Sequence, residues 1–332
     1  MTPFQQALAK RIQEDGPLPF SQVMGLSNEH YYNHHHVFGE HGDFITAPEI
    51  SQIFGELLGV WCVVQAETLG IKNPTIVELG PGRGTLMSDM LRVFEKVPGF
   101  DPEIILIESS DRLIQLQEKA LTHSPYSMTW QKDLGDLPKK HCLFIANEFL
   151  DALPVEVYTM TNDTASEVLV YWSANGGFTF SQNIQTGKVV EMSTAAEQVV
   201  GSIADHIANY NGAALFIDYG DYTPESRTGL TVQAVKNHSF VDPLTHLGEA
   251  DLTFHIDFRR MEEASLKDGL TTSFSTQREF LKAYGFDQRL HAILDSCNTT
   301  EDKYDVLSRA QRLIDPTQMG DLFKVLEIKT AF

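Results

Sequence analysis

The stretch Ile76-Val77-Glu78-Leu79-Gly80-Pro81-Gly82-Arg83-Gly84-Thr85-Leu86 constrains the fold more than any other, because a short apolar run enters a turn with three alternating glycines and leaves it as a helix. Strand, glycine turn and helix in that order open a parallel sheet with crossover helices. Further short apolar runs, each bounded by turn or charged residues, lie at 104–107, 128–130, 143–146 and 213–217, and 270–275 and 322–328 bring the strand candidates to seven. Strands fed by crossover helices are buried on both faces. The expected fold class is therefore α/β, a doubly wound, Rossmann-like sheet of seven strands with a late antiparallel pair. Helical spacing at Phe4, Leu8 and Ile12, and again over 48–69, predicts an N-terminal helical extension. The segments 155–160, 167–172 and 177–180, with Asn175-Gly176-Gly177 as a hairpin turn, predict a small β-rich insertion. The expected domains are an extension over 1–70, a core made of 71–154 and 211–332, and the insertion over 155–210.

Two cofactor classes use a turn of this kind, which lets the backbone approach a ligand and points helix N-terminal amides at it. A dinucleotide fingerprint places glycines at its first, third and sixth positions, and here the sixth is Thr85. Gly80, Gly82 and Gly84 instead suit S-adenosyl-L-methionine. That cofactor carries a cationic sulfonium and no diphosphate, so the acidic Glu78 beside the turn is tolerable. Glu108, at the end of the second strand, is placed to accept hydrogen bonds from both ribose hydroxyls, a feature NAD sites share. Asp133, after the third strand, is placed to accept from the adenine amino group. The sheet is then that of a class I methyltransferase.

After the fourth strand, Asn147-Glu148-Phe149-Leu150-Asp151-Ala152-Leu153-Pro154 sets polar groups at the carboxyl edge, where ligands of such sheets bind. If 148–153 starts a helix, Glu148 and Asp151 share a face. Two carboxylates facing a methyl donor suit a guanidinium or ammonium nucleophile. An arginine stays protonated until attack, so the site must orient its nitrogen by bidentate contact and take the proton late.

Forty-five acidic residues against 25 basic ones give a formal charge of −20, a field that repels phosphate backbones and anionic lipid surfaces and favours a basic protein partner. Nucleic acid and membrane insertion are not expected. Cys62, Cys142 and Cys297 are far apart in no metal spacing, and residues 1–16 lack the apolar core of a secretory signal, so a reducing, cytoplasmic setting is expected. Adjacent histidines point in different directions, so the run His34-His35-His36, with His30 and His41 nearby, is not read as a metal site. The segment 251–257 mixes ligand types and reads as a loop or short strand.

Several longer words together resemble the MidA family, bacterial relatives of the mitochondrial methyltransferase that assists assembly of respiratory complex I. These words are 42–51 (Gly-Asp-Phe-Ile-Thr-Ala-Pro-Glu-Ile-Ser), 54–59, 78–86, 147–154, Asp218-Tyr219-Gly220, 250–253 with Asp257-Phe258, and Asp315-Pro316 to Met319-Gly320. The resemblance implies a class I fold, S-adenosyl-L-methionine at Gly80, Gly82 and Gly84, and transfer to a protein arginine in a complex I-type subunit, with Asn147 and Glu148 lining the transfer site. Where the family shows a glycine before paired tyrosines, His30 precedes Tyr31-Tyr32. The leading expectation is a protein arginine methyltransferase with Asn147, Glu148 and Asp151 at the transfer site and Asp43, Thr46 and Glu49 closing the pocket. A homodimer is left open. Two rival readings are an assembly factor that binds the cofactor with little turnover and an NAD-dependent oxidoreductase.

Overall fold

Runs apolar at every position can only be sheltered in the middle of a sheet covered on both faces, and such runs become the central strands here. The computed structural model describes residues 1–34, 46–161, 164–182, 184, 188–222, 229–236 and 239–331. Its main strands are β1 (Thr75–Leu79), β2 (Glu103–Ile107), β3 (Met128–Gln131), β4 (Cys142–Asn147), β5 (Gly212–Asp221), β6 (Leu270–Thr276) and β7 (Phe323–Thr330). They follow one another in the order β3-β2-β1-β4-β5-β7-β6. The first four pairings are parallel, and β5–β7 and β7–β6 are antiparallel. Every residue of β1 and β4 is buried. The order reverses between β1 and β4, so their carboxyl ends flank the crevice where open α/β sheets bind ligands.

Four helices position that edge: α1 (Ala47–Ile50), α2 (Gln52–Thr68), α3 (Thr85–Phe94) and α4 (Asp111–Ala120). The single helix expected over 48–69 is broken at Ser51, whose backbone is extended and whose hydroxyl accepts from the Ile53 amide at 3.3 Å to start α2. Between β6 and β7 lie two helices, Gln277–Ala283 and Phe286–Ser296, parted at the left-handed Gly285. No helix forms over 148–153: the chain leaves β4 through bends and turns, and Glu148 has φ 50°, which no α-helix accommodates.

The sheet belongs to a unit of Ile45–Phe149, Val200–Gly220 and Glu262–Phe332, and a second unit comprises Met1–Phe44, Leu150–Val199 and Asp221–Met261. The sheet unit includes residues before 71 because α2 packs on α3. The second unit holds helices Pro3–Asp15 and Phe20–His34 and three small antiparallel sheets. One pairs Leu18–Pro19, Leu169–Ser173 and Gly177–Phe180, with Gly177 at φ 69° in the hairpin turn. Another pairs Lys188–Met192, Glu156–Thr161 and Thr164–Glu167, and the last pairs Ser239–Val241, Gln233–Lys236 and Asp251–Thr253.

Helix α2 approaches α3 closely because glycines stand four apart on its contact face. A Cβ at Gly55 would lie 2.6 Å from the Asp89 Cβ, and one at Gly59 would lie 3.1 Å from the Met90 Cα. Alanine normally favours a helix over glycine by about 1 kcal/mol. Gly55→Ala should nonetheless lower the melting temperature, because α3 must retreat and the turn it starts from moves with it; an unchanged or raised midpoint by calorimetry would show that the seam has slack.

Candidate functional site

The turn after β1 places three residues in the left-handed region, Gly80 at φ 62°, Gly82 at φ 57° and Gly84 at φ 83°. That region costs residues with a Cβ roughly 1–2 kcal/mol each. Gly80 is also tightly faced, since a Cβ there would lie 2.8 Å from the Phe149 ring. Gly84 is the N-cap of α3 and offers no side-chain cap, which leaves the first amides of the helix for another acceptor. The turn is anchored at both ends: the Gly80 amide donates to the Ile107 carbonyl at 3.0 Å, and the Gly84 amide to the Pro81 carbonyl at 2.8 Å.

Glu78 is 2% exposed, and its Oε2 has no hydrogen-bond partner among the described residues. Burial, followed by the charge of Glu108, raises its pKa from 4.5 to about 8. Glu108, at the end of β2, is buried as well, and burial raises its pKa despite hydrogen bonds that favour the ionised form. Its Oε1 accepts from the Ser110 amide at 2.8 Å and its Oε2 from the Gln117 amide group at 3.2 Å. Glu78 and Glu108 are thus brought to neighbouring strand ends beside the turn, as expected. Asp133 stands after β3 but is exposed and accepts from the Gly135 amide at 2.8 Å, shaping its own turn.

On the other side of the switch point, the Glu148 Oε1 accepts from the Ala47 amide and from the Asn147 side-chain amide, each at 3.2 Å. A non-glycine residue at positive φ is uncommon and concentrates at functional sites. Helix α1 therefore starts against Glu148, and its Glu49 reaches the turn: Glu49 Oε1 accepts from the Thr85 hydroxyl at 2.8 Å, and Oε2 lies 3.7 Å from Arg83. Thr46 precedes α1 and makes no side-chain cap. Asp43 lies outside the described residues, as do His35, His36 and His41; His34 stacks on His30 at 4.2 Å.

The expected pairing of Glu148 and Asp151 on one helical face is not found, since the helix is absent and Asp151 belongs to the second unit. There Asp151 and Asp251 are 4% and 5% exposed, and the Tyr32 hydroxyl donates to Asp251 Oδ1 at 2.9 Å. Burial, then the charges of Asp251 and Asp151, hold the Tyr32 pKa well above its ordinary value. The neighbouring Asn28 side chain donates to the Ala152 and Leu252 carbonyls at 2.9 and 2.8 Å and accepts from the Leu252 amide at 3.1 Å. Tyr32, Asn28, Asp251 and Gln117 had no role in the sequence reading. For Tyr32 and Asp251 the signal lay in the words 31–32 and 250–253; for Gln117 there was none.

These residues fit S-adenosyl-L-methionine. The partnerless buried Glu78 oxygen asks for a cation or donor, the uncapped amides of α3 for a carboxylate, and the left-handed glycines let a ligand close on the backbone. Comparison with known proteins agrees. The profile of a family described as S-adenosyl-L-methionine-dependent methyltransferase matches residues 57–276. The mitochondrial protein arginine methyltransferase NDUFAF7 of Xenopus tropicalis is 33% identical, with 96% of this chain and 84% of the relative covered. Its human counterpart is 32% identical over 97% of this chain and 82% of its own length. A Burkholderia thailandensis protein crystallised with S-adenosyl-homocysteine superposes with a TM-score of 0.85 at 25% identity, covering 98% of this chain and 91% of its own.

The raised Glu78 pKa makes a stability test. Between 4.5 and about 8 the folded chain holds a proton on Glu78 that the unfolded chain has lost, so this residue's contribution makes stability fall as pH rises through that window. Glu78→Gln removes that loss. Its melting temperature in the absence of cofactor should exceed the parent's by about 2 °C or more at pH 8, and the gap should close toward pH 5. Coincident melting curves at pH 8 would mean that Glu78 ionises freely in the folded chain.

Proposed function

We propose that this chain, which belongs to the family of S-adenosyl-L-methionine-dependent methyltransferases and takes its methyl group from that cofactor, transfers it to arginine side chains of a protein. The observation that carries the acceptor is the match, over nearly the full chain and so over both units, to relatives named as protein arginine methyltransferases. A guanidinium offers five donors in a planar fork and pairs best with carboxylates, and the half-buried Glu148 just after β4 supplies one.

When bound, the cofactor supplies an electrophilic methyl on a sulfonium sulfur. The turn at 80–84, with Glu78, would hold its methionine end, and Glu108 its ribose. Arginine binds protonated, because a guanidinium keeps its proton well above neutral pH. Carboxylates must therefore aim one nitrogen at the methyl and accept its proton as the new N–C bond forms and the C–S bond breaks. Glu148 has the fixed geometry this role needs: its backbone is left-handed, and Ala47 and Asn147 hold one oxygen. Alignment of nitrogen, methyl and sulfur provides most of the acceleration. We further infer a complex I-type subunit as the acceptor and a reducing, cytoplasmic setting, which three free cysteines suit.

Purified protein incubated with radiolabelled S-adenosyl-L-methionine and a cell lysate should label a protein band whose hydrolysate yields methylarginine. Glu148→Gln should lower that transfer by about 100-fold or more, while its affinity for S-adenosyl-homocysteine stays within about threefold of the parent. Label on lysine or on no protein would remove the arginine acceptor. Lost cofactor affinity would move Glu148 to the donor side.

A further inference from the structure

The methionine end and the ribose end of the donor are met by different segments, the turn after β1 and the carboxylate after β2, and one buried side chain joins the two. Gln117, in the second turn of α4, is fully buried. Its Nε2 donates to the Gly82 carbonyl at 2.9 Å and to Glu108 Oε2 at 3.2 Å, and its Oε1 accepts from the Trp130 indole at 2.9 Å. The indole N–H can only donate. It therefore fixes which end of the amide is oxygen and turns both amide hydrogens toward the turn and the carboxylate.

Two donors and one acceptor at this spacing describe a glutamine. Ionised glutamate has no donor and would set a second charge beside Glu108, and methionine has the length but neither function. The backbone of α4 also abuts the turn, since a Cβ at Gly84 would sit 3.6 Å from the Gln117 Cα. Glu108 has its other oxygen held by the Ser110 amide, and the Gln117 contact holds the second.

We propose that Gln117 is a positioning residue for the methyl donor, setting the spacing between the glycine turn and Glu108 so that one molecule satisfies both ends at once. This rests on the cofactor reading of the site. The donor's two ends are covalently joined, so the affinity gained at one depends on the other being in register, and Gln117 transmits that dependence. Trp130 acts one step further out by orienting the amide.

The test is a double-mutant cycle read by calorimetric titration of S-adenosyl-homocysteine. Gln117→Met and Glu108→Gln should each weaken binding by about tenfold or more, the range of a hydrogen bond to a charged group. Combined, they should lose no more than about threefold beyond the worse single variant, because the coupling is already broken. In steady-state transfer to labelled lysate protein, Gln117→Met should raise KM for the donor about tenfold with kcat at saturation within about threefold of the parent. Trp130→Phe, which removes only the orienting N–H, should give a smaller loss of the same kind and decides the matter if Gln117→Met does not fold. Multiplying losses in the double variant, or unchanged affinity in Gln117→Met and Trp130→Phe, would overturn the proposal. A parent protein that does not bind S-adenosyl-homocysteine would instead overturn the cofactor reading itself.

Discussion

A chain that turns left-handed three times within five residues can do so only on glycine, and the sheet edge is arranged around that demand. Gly80, Gly82 and Gly84 bring the backbone from the end of β1 to the start of α3 without a side chain in the way. Each neighbour then grips a different part of the turn. Phe149 fills the space a Cβ at Gly80 would need, Gln117 takes the Gly82 carbonyl, and Glu49 takes the Thr85 hydroxyl. These grips come from β4's exit, α4 and α1, segments that meet only because the strand order reverses between β1 and β4. The seam of Gly55 and Gly59 sets how near α3 lies to α2, and so fixes the helix whose first amides face the site.

Charge is placed against stability at this edge. Glu78 and Glu108 are both buried, burial makes each harder to ionise, and the charge of Glu108 adds to the effect on Glu78. A buried charge is tolerable when something nearby compensates it. For Glu108 the Ser110 amide and the Gln117 side chain do so. For one oxygen of Glu78 no described residue does, and that is the oxygen a cationic ligand would satisfy. Such local deficits mark places where a fold is shaped for binding rather than for its own stability.

The sheet was legible because burial on both faces writes itself as uninterrupted apolar runs; 75–79 and 143–146 reappear as β1 and β4 within a residue or two. The glycine turn was legible because left-handed backbone has one cheap residue. Contacts made through tertiary structure were not. A helix over 148–153 satisfies residue spacing, yet Glu148 turns left-handed and the chain passes to a different unit, which no local pattern announces. Ser51 looked like one more helical position until its backbone extended to cap α2. Gln117 reads as an ordinary polar position of α4, and its partners lie 35 residues before it, 9 before it and 13 after it. Asp133 stands after β3, where its Oδ1 accepts from the Gly135 amide.

The acidity of the chain and its chemistry are connected. Transfer from a sulfonium to a guanidinium requires two cations to approach within reacting distance, and at 4 Å two like charges repel by about 4 kcal/mol at the effective dielectric of a protein surface. Diffuse surface charge cannot cancel that, because exposed charges are screened over about 8–10 Å at physiological salt. Carboxylates removed from water can, and the chain places them accordingly. Glu78 and Glu108 are buried at neighbouring strand ends of the sheet unit, and the half-buried Glu148 follows β4. The net charge of −20 then draws a basic protein segment toward the molecule, but the few buried acids are what make the meeting of two cations possible.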